Sequence, residues 1–129
     1  MTLKAKISDL SRSQLLLLNK NLRRSCSEII GDSGVNFRSL VDQRVNNYYG
    51  MYCPENHRIS IFRNNVNNVD KYVQIYIHEW THSLQKGIKK NYAKMDYKYG
   101  YYNNPYEIEA RENEKLFKSI IWKTVKSML

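Results

Sequence analysis

His78-Glu79-Trp80-Thr81-His82 is the stretch of this chain whose residue types and spacing could do chemistry. On a helix, residues 78 and 82 project from one face, about 6 Å apart along the axis. Two imidazoles so placed can bind one zinc ion through ring nitrogens at about 2.0–2.1 Å. Glu79, beside the first histidine, can lean toward the same ion without binding it and take a proton from a zinc-activated water. One helical turn thus offers two ligands and a general base. The plain alternative is two histidines on the solvated side of an ordinary helix, since a pattern with three fixed positions recurs by chance.

Catalytic zinc usually has three protein ligands and one open position. Outside the motif the chain offers one more histidine, His57, and a downstream acidic cluster of Glu107, Glu109, Glu112 and Glu114. Glu107 follows Asn104-Pro105-Tyr106, where Asn and Pro open a helix. A carboxylate there, facing the histidines from a second helix, would complete a His₂Glu set with His78 and His82. Ala110 on the same side would let the helices approach. Glu107 has a structural alternative, as the N3 member of a capping box with Asn104. Glu109 is the rival ligand. Glu112 and Glu114 are expected to be solvated partners of Lys115 and Lys118. Cys53 and His57 share a C-x-x-x-H spacing, a weak signal for a second metal.

The elements that must position these residues follow from periodicity. Leu10, Leu15, Leu18, Leu22, Cys26, Ile29 and Ile30 predict a helix over about Ser8–Ile30, with Arg12, Lys20, Arg23 and Arg24 between them. Gly31-Asp32-Ser33-Gly34 ends it in a loop. Val35–Val45 is ambiguous between a short helix (Phe37, Leu40, Val41, Val45) and an extended start. Tyr48–Tyr52 and Arg58–Arg63, separated by Cys53-Pro54-Glu55-Asn56-His57, predict a β-hairpin. Ile59 and Ile61 would face one side of it, and Arg58, Ser60 and Phe62 the other. Asn67, Asn68 or Asp70 can cap a helix over Val69–Lys86, where Val69, Val73, Tyr76, Ile77, Trp80 and Leu84 form an apolar stripe beside the histidines. Gly87 is a plausible stop. Lys89–Asn104, rich in Lys, Tyr and Asn, shows no convincing period and is expected to be a linker. The last helix opens at Pro105, with Leu116, Phe117, Ile120, Ile121, Val125 and Met128 as its apolar positions.

A length of 129 residues fits one domain, 1–129, and a 42% hydrophobic content argues for a packed core rather than disorder. The chain carries 21 Lys+Arg against 12 Asp+Glu, a net +9, with the excess in Lys4–Arg24 and Lys86–Lys126. Such a balance admits nucleic acid, anionic membrane or acidic protein partners, or only basic outer faces. No nucleic-acid-binding motif is present. Without a secretory signal pattern or an apolar run of membrane-spanning length, a cytoplasmic protein with Cys26 and Cys53 as free thiols is expected. The abundance of Asn, Lys, Tyr and Ile fits AT-rich coding, as in a phage or a low-GC bacterium.

His-Glu-Trp-Thr-His-Ser-Leu-Gln (78–85) followed by Asn-Pro-Tyr-Glu-Ile-Glu-Ala (104–110) resembles the small gluzincin metallopeptidases, over about residues 48–118. In that family H-E-x-x-H on one helix is joined by a Glu in an E-x-x-A pattern on a later one. The resemblance implies an α+β, minimal zincin-like fold with a small sheet, an active-site helix and a C-terminal helix carrying the glutamate. It implies one Zn²⁺ per chain held by His78, His82 and Glu107, with Glu79 as general base in peptide-bond hydrolysis. A sheet-edge strand would take a protein or peptide substrate in extended form, and Arg58–Arg63 is the candidate strand. A second electrophile for the oxyanion would come from Tyr97, Tyr99, Tyr101, Tyr102, Tyr106 or His57. Two other readings stand beside this one: a basic nucleic-acid-associated protein, and an idle zincin fold used for protein binding. The chain is short for an elaborate substrate cleft.

Overall fold

The computed structural model describes residues 1–40 and 48–129. It is an α+β arrangement of a three-stranded sheet and four α-helices. Helix α1 spans Arg12–Ile29 and α2 Val69–Leu84; α3 spans Ile88–Asn103 and α4 Pro105–Ser127. The strands are β1 (Asn36–Leu40), β2 (Gly50–Cys53) and β3 (Arg58–Phe62).

Each helix start has a local cause. Helix α1 begins at Arg12 rather than near Ser8, because Ser11 and Gln14 form a reciprocal capping box. The residues before it make a short 3₁₀ turn, Ile7–Asp9. Asn68 caps α2, its Oδ1 accepting from the Lys71 amide at 2.9 Å. The N-terminal segment pins that start, with Leu3 and Ala5 carbonyls accepting from the Asp70 and Val69 amides. Asn104 caps α4 ahead of Pro105.

The hairpin expectation holds: β2 pairs antiparallel with β3, with Met51 opposite Ser60 and Cys53 opposite Arg58. The sheet order β1-β3-β2, with β1 parallel to β3, makes β3 the middle strand. Arg58–Arg63 is therefore not a sheet edge, and its ladder groups are taken on both sides. Among the described residues the edge nearest the histidines is β2. Ser60 and Phe62, on the side of β3 opposite Ile59 and Ile61, are buried as those two are, and Ser60 Oγ accepts from Arg38 Nε at 3.0 Å. Of the ambiguous Val35–Val45 stretch, Asn36–Leu40 is strand, and Val41 and Val45 lie outside the described residues.

The core lies between the sheet and the helices α1, α2 and α4. Leu18, Leu22 and Cys26 meet Val73, Tyr76, Ile77 and Trp80, with Ile121 and Val125 closing the third side. The Tyr76 ring sits 5.0 Å from Phe37 and is stacked on Trp80. Trp80 is fully buried and its indole N–H donates to the Gly31 carbonyl at 2.8 Å, tying α2 to the loop after α1. Helix α2 is apolar over most of its circumference, so its polar site residues emerge only on the strip facing α4 and β2.

Two expectations about the C-terminal third are corrected. Lys89–Asn104 is not a linker but helix α3, broken only at Gly100 (φ 79°, ψ 167°). Only Ile88 on it is buried, so no apolar stripe announces it. On α4, Leu116 and Ile120 are exposed, whereas Ile121, Trp122 and Val125 enter the core. Lys118 bonds to Asp70 on α2 at 2.6 Å, across the helix pair, rather than to Glu114 on its own helix. The expected Glu114–Lys118 pair is thus absent.

Candidate metal centre

Helices α2 and α4 run in opposite directions, bringing Glu107 beside His78 and His82, Asn113 beside Thr81, and Lys118 beside Asp70. Ala110 is fully buried in this pairing. The close approach puts Glu107 Oε1 at 2.8 Å from His78 Nε2 and 3.2 Å from His82 Nε2. One donor atom from each of the three residues lies within 4.8 Å of the other two. Tetrahedral ligands at about 2.0–2.1 Å from a metal lie about 3.3 Å from one another. The two histidine–glutamate spacings therefore need to open by only a few tenths of an ångström. Two imidazoles and one carboxylate suit zinc or a similar divalent ion. Among the described residues no other group of three metal-capable side chains converges in this way.

Glu107 does not act as a capping residue. Its side chain turns to the histidines, while the Asn104 side chain accepts from the Tyr106 amide. Glu109 is exposed, and its Oε1 accepts from Gln85 Nε2 at 2.8 Å, away from the three donors. Cys53 and His57 form no second centre. The Cys53 thiol donates to Glu55, and His57 is held in its turn by the Tyr52 hydroxyl and the Ser33 carbonyl.

Three supporting residues were not legible in the motif. Glu114 Oε2 accepts from His78 Nδ1 at 2.6 Å. Gln85 Oε1 accepts from His82 Nδ1 at 2.7 Å. The Gln85 amide donates to two acceptors, the Tyr106 carbonyl and Glu109, which fixes its orientation. Both imidazoles therefore hold a proton on Nδ1 and turn Nε2 toward Glu107, so that loss of the Nε2 proton leaves the tautomer a metal needs. The third residue is Tyr92 on α3, whose hydroxyl donates to Glu107 Oε2 at 2.5 Å. That leaves Oε1 to face the histidines. The one sequence signal for Glu114 is its spacing: it lies seven residues after Glu107, two turns along the same face.

The charges respond to this packing. Burial alone would lower the His78 pKa, but its bonds to Glu107 and Glu114 and the charge of Glu79 outweigh it and push the value up to about 10. His82 is raised against its burial by Glu107 and Glu79. Burial also opposes ionisation of Glu107, yet the two histidine bonds hold its carboxyl well below the usual carboxylate range. Glu79 moves the other way: burial raises it, only partly offset by the histidine charges.

Glu79 lines a cleft of about 800 Å³ between α2, α4, the end of α3 and β2. Gly50 lines it too. A Cβ there would fall 2.8 Å from Ile75 Cγ2 and 3.0 Å from the Ser60 carbonyl, so only glycine lets β2 lie this close to the helix carrying Glu79. Tyr101 and Tyr102 line the cleft. Tyr97 is 94% exposed, and the Tyr106 hydroxyl donates to the Lys86 carbonyl. Burial and the charges of Glu107 and Glu79 push the Tyr101 hydroxyl up to about 12, so it stays protonated at neutral pH.

No helix among the described residues is long and apolar enough to cross a membrane. Cys26 is buried and Cys53 half-buried, and both are free thiols. Comparison with protein-family models, curated proteins and solved structures finds no match, so the chemistry of this centre is argued from its own geometry.

Proposed function

We propose that this protein is a zinc-dependent peptidase of the gluzincin type, with His78, His82 and Glu107 as ligands and Glu79 as general base. The observation that carries the reading is the convergence of two Nε2 atoms and one carboxylate oxygen, all turned inward by their own hydrogen-bond partners, at the end of an open cleft. When bound, zinc supplies acidification of a water and polarisation of a scissile carbonyl.

The remaining work falls to the chain. Glu79 is buried against Gly50 and Ile75, and burial raises its proton affinity, which suits a base that accepts a proton and returns it to a leaving amine. Tyr101 offers a neutral hydroxyl to the developing oxyanion, because its proton is held under the influence of Glu79 and Glu107. Glu114, Gln85 and Tyr92 hold the three donors in place. The β2 edge, rather than Arg58–Arg63, is the strand beside which an extended substrate would lie.

The test begins with metal content of protein purified without a histidine tag, followed by cleavage of a mixed peptide library. The expected outcome is about one zinc per chain, lost in Glu107→Ala and kept in Glu109→Ala. Cleavage should disappear in Glu79→Gln with zinc retained. A wild-type chain that takes up no zinc on reconstitution would overturn the proposal.

A further inference from the structure

The cleft is not electrostatically neutral. Its two lining carboxylates, Glu79 and Glu114, both sit at the metal end. Lys71 from α2 and Arg111, Lys115 and Lys118 from α4 also line the cleft. Lys118 shares its charge with Asp70. No ion pair among the described residues engages Lys71, Arg111 or Lys115. Two of the cations are held by aromatic faces rather than by acids. The Lys71 ammonium lies 4.9 Å from the Tyr49 ring centre, and the Arg111 guanidinium 4.3 Å from that of Tyr102. An aromatic ring orients a cation but does not neutralise it.

From this juxtaposition we infer that the cleft selects acidic peptides, taking an Asp or Glu side chain between Lys71 and Lys115 at a fixed distance from the reacting bond. The inference rests on the peptidase reading for its catalytic end, and its recognition end stands on the lysines. The distance follows from helix geometry. Lys71 lies seven residues before His78, two turns along the same face of α2, or about 10 Å at 1.5 Å per residue. An extended chain advances about 3.3 Å per residue, so the acidic side chain belongs about three residues from the scissile bond. A positive cleft with low-dielectric walls also raises the local concentration of such a substrate.

The experiment uses the full chain carrying Glu79→Gln, with and without zinc, and capped alanine-based heptapeptides in which a single Glu is walked along the sequence. Binding is measured by calorimetry against the same peptides carrying Gln. The Glu peptides should bind about tenfold tighter at one register. Lys71→Ala with Lys115→Ala should erase the difference, and Lys123→Ala, on α4 outside the cleft, should leave it intact. In the zinc-loaded wild type, library cuts should be enriched for Asp or Glu about three positions from the bond. Equal binding of Glu and Gln peptides would overturn the inference. So would an effect of Lys123→Ala as large as that of the cleft lysines, which would mean diffuse charge. Single-stranded DNA that binds through Lys71 and Lys115 and excludes the acidic peptide would overturn it in favour of nucleic acid. A chain that cleaves nothing but still prefers Glu peptides fails the peptidase reading alone.

Discussion

Removing the Glu114 carboxylate should weaken metal binding without removing a ligand. Glu114 Oε2 accepts from His78 Nδ1 at 2.6 Å, the short range of a charge-assisted bond. Such a bond to a charged group contributes about 1.5–3 kcal/mol net, and about 1.4 kcal/mol is tenfold in an equilibrium constant. The pair is only partly dry, with side-chain exposures of 14% for His78 and 21% for Glu114, so the lower half of that range applies. Glu114→Ala is thus expected to lower zinc affinity by about ten- to fortyfold, within the usual span for a partner standing behind a histidine ligand. Glu114→Gln keeps an acceptor oxygen and should lose only a few-fold. Zinc affinity is read by competition with a chromophoric chelator, with Glu107→Ala as the reference for a lost ligand. Wild-type affinity in Glu114→Ala would refute the orienting role. A loss equal to that of Glu107→Ala would instead make Glu114 a ligand.

The pH dependence has a definite sign. Against its burial, hydrogen bonds to Glu107 and Glu114 push His78 up to about 10 in the metal-free fold and His82 is raised in the same direction, so zinc binding at pH 7 displaces at least the His78 proton. Calorimetry in two buffers of different ionisation enthalpy should show one to two protons released, about as many as there are raised histidines; zero release contradicts the assignment. Because these folded-state values are raised, their contribution to metal-free stability is complete below the unfolded histidine value of about 6.5 and fades as pH climbs toward 10. Melting of chelator-treated protein should accordingly fall over that window, with the zinc-loaded protein less affected. Gly50→Ala must push β2 off Ile75 and should cost about 1–3 kcal/mol in urea unfolding, with the proposed peptidase activity falling further because β2 flanks Glu79; unchanged stability would show that the strand gives way freely. Gly100→Ala meets no atom within 4 Å, yet φ 79° with ψ 167° is a region only glycine adopts easily, so a loss of about 1–3 kcal/mol or a straightened α3 is expected. Near-wild-type melting with an unchanged helix would count against the kink.

Much of this was written locally in the chain. The apolar stripe of Val69, Val73, Tyr76, Ile77 and Trp80 puts residues 78 and 82 on a packed helix, and Asn104-Pro105 starts the helix that carries Glu107. Spacing along one element is a property of consecutive residues, so periodicity and capping rules can recover it. Other features depend on which surfaces meet. Glu114 read as a solvated partner of Lys118 because both lie on one helix face; the antiparallel packing of α2 against α4 gives Glu114 to His78 and Lys118 to Asp70. Helix α3 escaped notice because it buries only Ile88, and a helix without an apolar stripe has no period to find. Tyr92 was hidden with it. Arg58–Arg63 looked like an edge strand, but its place between β1 and β2 depends on a parallel pairing with residues some twenty positions earlier. The candidate ligands His78, His82 and Glu107 and the candidate base Glu79 were legible in the sequence, through residue type and spacing on single helices. The tertiary structure decided which groups hold those ligands in their metal-binding tautomers and what charge lines the cleft, because both depend on the register and closeness of elements far apart in the chain.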